Sequence, residues 1–296
     1  MSNEIVNESV RKLIIKKVII ALFLDDRFFA RLALKGGNAI DIVYGLSGRA
    51  SRDVDSSLRG MLDGQELSEF SDALMGSLDK VFSDSPYEVF DFRFAEKPSS
   101  RSAGTPAFWG GYLAEFKIIE RSRCTGSDIE RKRREALKIG KKGAATFSVD
   151  FSHSEFIGDT TLAQLDDYDI QVYSPEMIIF EKLRAICQQL PAYEEISGSQ
   201  MRRPRARDFF DIHLLALRQG EQLFSAEKIQ ILESVFEAKQ VPLEYLDRIA
   251  DSREYHRNDF TSVISTVPKA EELKSFDFYF DYALSLVSRI QKSRNK

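Results

Sequence analysis

Two aspartates separated by a single residue are the side chains of this sequence most suited to chemistry. Asp53 and Asp55 open the segment 53–58, which is typical of a β-strand. Residues two apart on a strand point to the same face, roughly 6–7 Å from each other. Two hard anionic ligands at that spacing suit a pair of magnesium ions, which can activate an attacking oxygen and neutralise a leaving pyrophosphate. Taken alone, such a pair is more often two surface acids in a turn.

A third carboxylate stands on a later segment with a clear strand pattern. Residues 146–152 alternate with a period of two, with phenylalanine and valine on one face and Ser148 and Asp150 on the other. If this strand neighbours the one that carries Asp53 and Asp55, Asp150 completes a metal-binding cluster of three aspartates. In that arrangement Asp150 also serves as the general base for an attacking hydroxyl.

A glycine turn precedes the aspartate pair by fewer than twenty residues. The turn consists of Lys35, Gly36, Gly37 and Asn38, and a short apolar stretch follows it. Paired glycines let backbone N–H groups approach phosphate oxygens, and Lys35 adds a positive charge. Asn38 can donate a hydrogen bond to a phosphate through its amide. The order of the features, a Gly-Gly turn and then an Asp-x-Asp strand, favours a site for a nucleoside triphosphate.

The elements around these motifs predict an α/β domain over residues 1–172. Apolar residues at helical spacing predict an opening helix over 5–24, and a second helix is expected over 66–82. Strands are expected over 87–94, 112–119 and 146–152. Between the first two of these, residues 97–111 are rich in Ser, Pro and Gly, which is typical of a loop.

A helical domain is predicted over residues 173–296. Its first helix has a clear start signal, with Ser174 as N-cap, Pro175 at the first helical position and an acid, Glu176, in the first turn. The same kind of pattern predicts helices over 175–189, 207–218, 226–238 and 276–290. The expected fold is therefore a mixed sheet flanked by helices, followed by a mainly helical C-terminal part.

Composition narrows the class of protein. The 296 residues carry a net charge of −4, so a nucleic-acid partner would have to bind local basic patches. The two cysteines, Cys124 and Cys187, lie far apart without other ligand types nearby, which argues against a disulfide framework or a zinc site. The apolar run 18–24 is too short for a membrane span, which needs about 20 residues. We therefore expect a cytoplasmic protein without a membrane partner.

Five short motifs together resemble the AbiEii/AbiGii toxin nucleotidyltransferases of the DNA polymerase beta-like superfamily. They are the Lys-Gly-Gly turn, an Arg-x-Ser-x-Asp-x-Asp element, a later strand carboxylate, a Glu-Lys-Leu-x-Ala helix and an Arg-Asp-x-x-Asp element. In this chain they occupy residues 34–40, 49–55, 147–150, 181–185 and 207–211. The resemblance covers about residues 10–215. One departure is Asn38, where the family usually has Thr or Ser.

The resemblance implies an enzyme that uses a nucleoside triphosphate with two Mg²⁺ ions, or Mn²⁺ in their place. It implies metal binding by Asp53, Asp55 and Asp150, and a catalytic contact of Lys182 with the triphosphate. Asp208 or Asp211 would position Lys182 or the nucleotide. Further substrate-binding residues implied by the matching motifs are Lys35, Gly36, Gly37, Asn38, Arg49 and Ser51. Several relatives are bacterial toxins that add nucleotides to tRNA 3′ ends, or phage-defence proteins that act beside an antitoxin.

Two basic stretches could bind a polyanionic acceptor such as tRNA. Ten basic side chains lie within residues 117–142, and four arginines lie within 202–207. An equally good interpretation is a solvated helix face balanced by nearby acids. The acceptor therefore stays open between RNA, a protein hydroxyl and a small molecule. A nucleotide-binding or partner-binding module without turnover is a third hypothesis, and nothing in the three aspartates argues for it.

Overall fold

The computed structural model describes residues 6–46, 53–99, 106–124, 128–140, 143–198, 202–264, 267 and 273–295. Arg49 and Ser51 lie outside these residues. The strands are β1 Leu32–Lys35, β2 Val54–Leu58, β3 Tyr87–Lys97, β4 Gly111–Glu120, β5 Thr146–Ser152, β6 Thr160–Leu165 and β7 Tyr168–Tyr173. The α-helices are α1 Glu8–Leu22, α2 Asp26–Phe29, α3 Gly36–Asn38, α4 Gly64–Phe82, α5 Ile129–Glu135, α6 Pro175–Cys187, α7 Glu194–Ser197, α8 Ala206–Gln219, α9 Ala226–Glu237, α10 Arg253–Arg257, α11 Phe260–Ile264 and α12 Phe276–Arg294.

The seven strands form one mixed sheet in the order β3-β4-β5-β2-β1-β7-β6. β2 pairs with β5 in parallel and β1 pairs with β7 in parallel, whereas the other neighbours are antiparallel. β1 and β2 follow each other in the chain, whereas β5 and β7 come from much further along the chain to pair with them. This topology confirms that the strand of Asp150 is the direct neighbour of the strand that carries Asp55.

One face of the sheet is apolar and is covered by α1 and α4. The buried residues of these two helices belong to the same core as Val54, Val149 and Phe151 of the central strands. Phe70 of α4 stands edge-on to Phe151, with 5.3 Å between the ring centroids. Because successive side chains on a strand alternate between faces, the carboxylates of Asp55 and Asp150 lie on the opposite face.

After β7, the regular elements of the described residues are all helices. Ser174 caps α6 by accepting a hydrogen bond from the Met177 backbone N–H at 3.1 Å, as the N-cap signal predicts. α6 packs against α8 and α9, and α12 packs against α8. The hydrophobic core runs continuously from the sheet into these helices. The division into domains at residues 172 and 173 stays a prediction.

The predicted helices and strands are confirmed within a few residues at their ends, and β5 matches at both ends. The sequence patterns do not predict β1, β6 or β7. β1 is buried at all four positions and therefore shows no alternation, whereas β6 is a partly exposed strand at the sheet edge. Within the described residues, no helix is both long and apolar enough to cross a membrane.

Candidate active site

Asp55 and Asp150 are register partners on the two parallel strands at the centre of the sheet. The pairing joins Val54 to Val149 and Asp55 to Asp150. Register partners on neighbouring strands lie about 4.8 Å apart, and their side chains leave the same face. The two carboxylates therefore stand side by side on the face opposite α1 and α4. This is the placement that a shared cation site requires.

Asp53 lies one residue before β2, and its contacts fix the start of that strand. The Ser148 hydroxyl donates a hydrogen bond to the Asp53 carboxylate at 3.4 Å. The side-chain amide of Asn38 donates to the backbone carbonyl of Asp53. Asn38 is buried, so its amide anchors the aspartate segment to the glycine turn. The predicted contact of Asn38 with phosphate stays a prediction.

The glycine turn lies directly beside Asp55. Lys35 ends β1 and is the register partner of Asp55. Gly36 follows with a φ of 71°, a left-handed conformation that strains any other residue, and Gly37 is buried behind it. A Cβ atom at position 36 would lie 2.8 Å from a carboxylate oxygen of Asp55. Glycine is therefore required here both by the backbone conformation and by the close approach to the aspartate.

Lys35 itself belongs to a buried set of ion pairs between the sheet and the helices. We call this set the buried charge cluster; it consists of Lys35, Glu155, Glu181, Arg184 and Lys239. The Lys35 ammonium lies 2.6 Å from Glu181 and 3.5 Å from Glu155. The structure thus gives Lys35 a buried ion-pairing role, and a contact of Lys35 with phosphate stays a prediction.

Glu155 is the centre of the buried charge cluster. It lies 2.6 Å from Arg184 and 3.5 Å from Lys239. Burial by itself raises the pKa of Glu155, but the neighbouring charges of Arg184, Lys35 and Lys239 outweigh burial and hold that pKa well below its usual value. Burial lowers the pKa of Lys239 to about 8, against the opposing charge of Glu155. The cluster ties β1, the segment after β5, α6 and the end of α9 together.

Lys182 holds together a second buried set of charges on the neighbouring position of α6. Its ammonium lies 2.8 Å from Asp208 and 2.8 Å from Asp211, both on α8. Arg205 also contacts Asp208, at 2.9 Å. Burial raises the pKa of Asp208, but the charges of Lys182 and Arg205 lower it well below its usual value. The predicted grouping of Lys182 with the two aspartates is thus present in the structure.

Lys97 contacts the site, although it lies at the start of the segment 97–111 whose composition is typical of a loop. It is the last residue of β3, and its ammonium lies 2.8 and 2.6 Å from the two carboxylate oxygens of Asp150. Further residues near the site carry no sequence signal for a functional role of their own, namely Lys97, Glu155, Glu181, Arg184 and Lys239. Glu181 and Arg184 stand within the recognised helix motif, but no local pattern marks the other three.

A divalent ion fits this face by the chemistry of its donors. Asp55 and Asp150 supply hard oxygen ligands on one face, and a cationic group, Lys97, already lies on Asp150. Among the described residues, however, no three His, Cys, Asp or Glu side chains are grouped as one metal site. The predicted triad of Asp53, Asp55 and Asp150 therefore stays a prediction. When bound, the ion would supply charge neutralisation at the phosphate and activation of the attacking oxygen.

The comparison with known families decides the enzyme class. A family profile described as "Nucleotidyl transferase AbiEii toxin, Type IV TA system" matches residues 19–282. The chain belongs to this AbiEii family. The protein is therefore a nucleotidyltransferase of a toxin–antitoxin family, and the resemblance seen in the five motifs is confirmed. The match reaches well beyond residue 215 and ends within α12, at residue 282.

One solved structure agrees on the fold, and two others give lower similarity. A structure from H. pylori, described as a nucleotidyltransferase, is similar with a TM-score of 0.52 at 14% identity, over 98% of both chains. An antigenic nucleotidyltransferase-like protein from Paracoccidioides brasiliensis gives a TM-score of 0.35 at 16% identity, over 86% of this AbiEii chain and 94% of that one. The antibiotic-resistance factor ANT(2'')-Ia gives 0.34 at 14% identity, over 85% and 100%. No curated protein sequence matches the chain.

In the longer basic stretch of this AbiEii protein, residues 117–142, several basic side chains are paired with acidic ones. Lys117 lies on strand β4, residues Arg121–Arg123 form a 3-10 turn, and residues 129–135 form the helix α5. We call the ion pairs here the surface charge cluster; its members are Glu88 and Asp91 of β3 with Lys117, Arg121, Lys132 and Arg133. Within α5, Arg131 pairs with Glu135 and Arg133 pairs with Glu130, which agrees with the interpretation as a solvated helix face balanced by nearby acids. Lys141 and Lys142 lie outside the described residues.

Proposed function

We propose that this AbiEii enzyme transfers a nucleotide from a nucleoside triphosphate to the 3′ end of tRNA, and that the transfer makes it a toxin or phage-defence effector. The observation that carries the proposal is the pairing of Asp55 with Asp150 on one sheet face, beside a glycine turn. In the proposal, Asp53, Asp55 and Asp150 hold Mg²⁺ ions. The antitoxin partner that the family name suggests is part of the same proposal.

The second part of the proposal concerns the triphosphate. Lys182 contacts its phosphates, and the contacts of 2.8 Å to Asp208 and Asp211 fix the direction of the ammonium. Glu181 pairs with Lys35 at the end of β1, so this stretch of α6 lies next to the sheet face that carries Asp55. Lys182 follows Glu181 directly, which supports a position near the nucleotide. Asp150 then accepts the proton of the attacking hydroxyl.

The acceptor is the least constrained part, and one observation favours a second candidate. Four basic residues of the longer basic stretch are paired with Glu88 and Asp91, which leaves less positive charge for a polyanion. A protein hydroxyl or a small molecule is therefore the alternative acceptor. A module without turnover is set aside, because the chain belongs to an enzyme family.

The test is a labelling experiment with purified protein, Mg²⁺, bacterial tRNA and each α-labelled triphosphate in turn. The variants are wild type, Asp55→Asn and Asp150→Asn, with Asp91→Asn as a matched control that removes a carboxylate from the surface charge cluster. Label on tRNA from wild type and Asp91→Asn alone is the expected result. Each active-site variant should lose at least about 100-fold of the rate, as loss of a transition-state charge contact does.

Two other results would redirect the proposal. Label that appears in a cell lysate and survives RNase treatment would exclude RNA and assign the reaction to a protein or a small molecule. Equal labelling by wild type and both active-site variants would overturn the assignment of the site. Growth arrest on expression of wild type, but not of Asp55→Asn, is the expected cellular result for a toxin.

A further inference from the structure

We propose that Lys97 is a built-in counter-cation of Asp150 that competes with the divalent ion and leaves the carboxylate when nucleotide arrives. The inference deepens the proposed function and rests on it, because it assumes that Asp150 is a metal ligand. Its starting observation is the contact of one ammonium with both oxygens of one carboxylate, at 2.8 and 2.6 Å. A cation that engages both oxygens occupies the place that a metal ion would take on the same ligand.

The sheet is built so that Lys97 can reach across one strand. Lys97 is the register partner of Gly111 on β4, and Gly111 is the partner of Ser152 on β5. Asp150 lies two residues before Ser152, so it shares the face of Lys97. Gly111 carries no side chain that could stand between them. A Cβ atom there would lie 1.9 Å from the backbone oxygen of Phe151, so glycine is required at this position.

Lys97 differs in its setting from the other lysine close to the aspartates. Lys35 is buried and pairs with Glu155 and Glu181, so it cannot leave without exposing two buried carboxylates. The Lys97 side chain is half exposed and lies at the end of β3, which is an edge strand of the sheet. A half-exposed ion pair contributes little to stability, so it can be exchanged at small cost.

Electrostatics then couples the metal to the nucleotide. A divalent ion on Asp150 and the Lys97 ammonium repel each other at the distances of a shared carboxylate, so the two bind Asp150 in competition. A triphosphate brings several negative charges to the same face and offers Lys97 another partner. The ion therefore binds weakly to the free enzyme and more tightly with nucleotide. Lys97 acts here as a positioning residue, through Asp150 and the phosphates.

The test measures Mn²⁺ binding to the full-length protein by electron paramagnetic resonance, with no turnover required. The proteins are wild type, Lys97→Gln, Asp150→Asn and Lys117→Gln. The last is the matched control, because it breaks a Lys–Asp contact of 2.6 Å on the same sheet but within the surface charge cluster. Without nucleotide, Lys97→Gln should bind Mn²⁺ at least about 5-fold more tightly than wild type, the lower end of typical coupling between sites.

Addition of a non-hydrolysable triphosphate completes the design. Wild type and Lys117→Gln should gain Mn²⁺ affinity on addition of the analogue, and Lys97→Gln should gain at least about 5-fold less. Unchanged Mn²⁺ affinity in Lys97→Gln, together with weakened binding in Asp150→Asn, would overturn the role of Lys97 and leave the proposed function standing. Unchanged affinity in Asp150→Asn would instead overturn the metal site on which the proposed function depends.

A second measurement needs no variant and covers the case in which Lys97→Gln does not fold. Amine labelling of wild type, read by mass spectrometry, reports how freely each lysine ammonium reacts. Mn²⁺ alone should speed the labelling of Lys97 by displacing it from Asp150, and the triphosphate analogue should slow it again. Lys117 should label at a constant rate. A labelling rate of Lys97 that changes neither with Mn²⁺ nor with the triphosphate analogue would contradict the proposal.

Discussion

The buried charge cluster and the surface charge cluster use the same side-chain chemistry in opposite surroundings. The contact of Arg184 with Glu155 and that of Arg133 with Asp91 are both 2.6 Å long. Only 5% of each side chain is exposed in the first pair, whereas 43% of Arg133 is exposed in the second. Water and salt screen the surface pair, but the buried charges can be balanced only by each other. Two ion pairs of equal length should therefore differ greatly in the unfolding free energy that is lost when one partner is removed.

The location of the two clusters matches this difference. The buried charge cluster joins the sheet face of Asp55 to α6, the helix that carries Lys182. Its ion pairs thereby connect the proposed metal-binding face to the helix of the proposed triphosphate contact. The surface charge cluster joins β3 to α5, far along the sheet order from β1, and keeps a basic stretch solvated. Four predictions test the comparison, from the largest effect to the smallest.

Glu155→Gln should have the largest effect on stability. The amide keeps the shape of the side chain but removes the charge that balances Arg184, Lys35 and Lys239. Breaking a buried ion pair in this way costs about 3–5 kcal/mol of unfolding free energy, which urea denaturation measures. The double variant Glu155→Gln/Arg184→Met should recover part of the loss. A loss below about 1 kcal/mol would place this cluster in the same class as surface pairs.

His256 tests whether burial of a titratable side chain without an ion-pair partner among the described residues changes the unfolding free energy by a similar amount. It is fully buried and accepts a hydrogen bond from the Arg205 backbone N–H at 3.0 Å. Burial lowers the pKa of His256 to about 4, whereas an unfolded histidine titrates near about 6.5. As the pH falls below about 6.5, the unfolded chain gains a proton that the folded protein does not, so stability falls until about pH 4.

The unfolding free energy that is lost because His256 cannot take up a proton in the folded protein is about 3 kcal/mol in full. It should appear as a drop in the unfolding free energy between pH 6.5 and 4, measured in urea at several pH values. His256→Asn keeps an acceptor for the Arg205 N–H but does not titrate, so its stability should fall less over the same range. Parallel pH profiles for the two proteins would argue against a buried neutral histidine.

Asp91→Asn should have a modest effect that depends on salt. Hydrogen bonds from Arg133 and Lys117 hold the pKa of Asp91 well below its usual value, so its contribution is present above the unfolded value of about 4 and is lost as the pH falls below it. The unfolding free energy should fall by no more than about 1 kcal/mol at low salt, and by less at high salt. A loss that salt leaves unchanged would contradict a solvated cluster.

Arg131→Gln should have the smallest effect. Arg131 and Glu135 are four residues apart on α5, and their contact of 3.0 Å lies on the helix surface. Such pairs contribute about 0.3 kcal/mol, close to the limit of thermal or urea denaturation. The same variant should also retain nucleotide transfer, which gives the labelling experiment a further control. A loss above about 1 kcal/mol would show that α5 depends on its ion pairs.

Much of the fold follows from local patterns in the sequence. The alternation in residues 146–152 predicts β5, and the capping residues Ser174 and Pro175 predict the start of α6. Both signals depend on neighbouring residues only. β1 and β6 lack such a signal, because one is buried throughout and the other lies at an exposed edge. Strand order also lies beyond local patterns, since β5 and β7 come from far along the chain to flank β2 and β1.

The sequence by itself determined the enzyme family, the aspartate pair, the glycine turn and the residues of the Lys182 motif, because each depends on residue type at short spacing. Only the tertiary structure decided that Asp55 and Asp150 are register partners and that Lys35 is buried among carboxylates. It also decided that Lys97 contacts Asp150 across β4, where Gly111 has no side chain that could separate them. Charged residues that are far apart in the chain come together only when the sheet and the helices pack, and burial then sets the strength of their interaction.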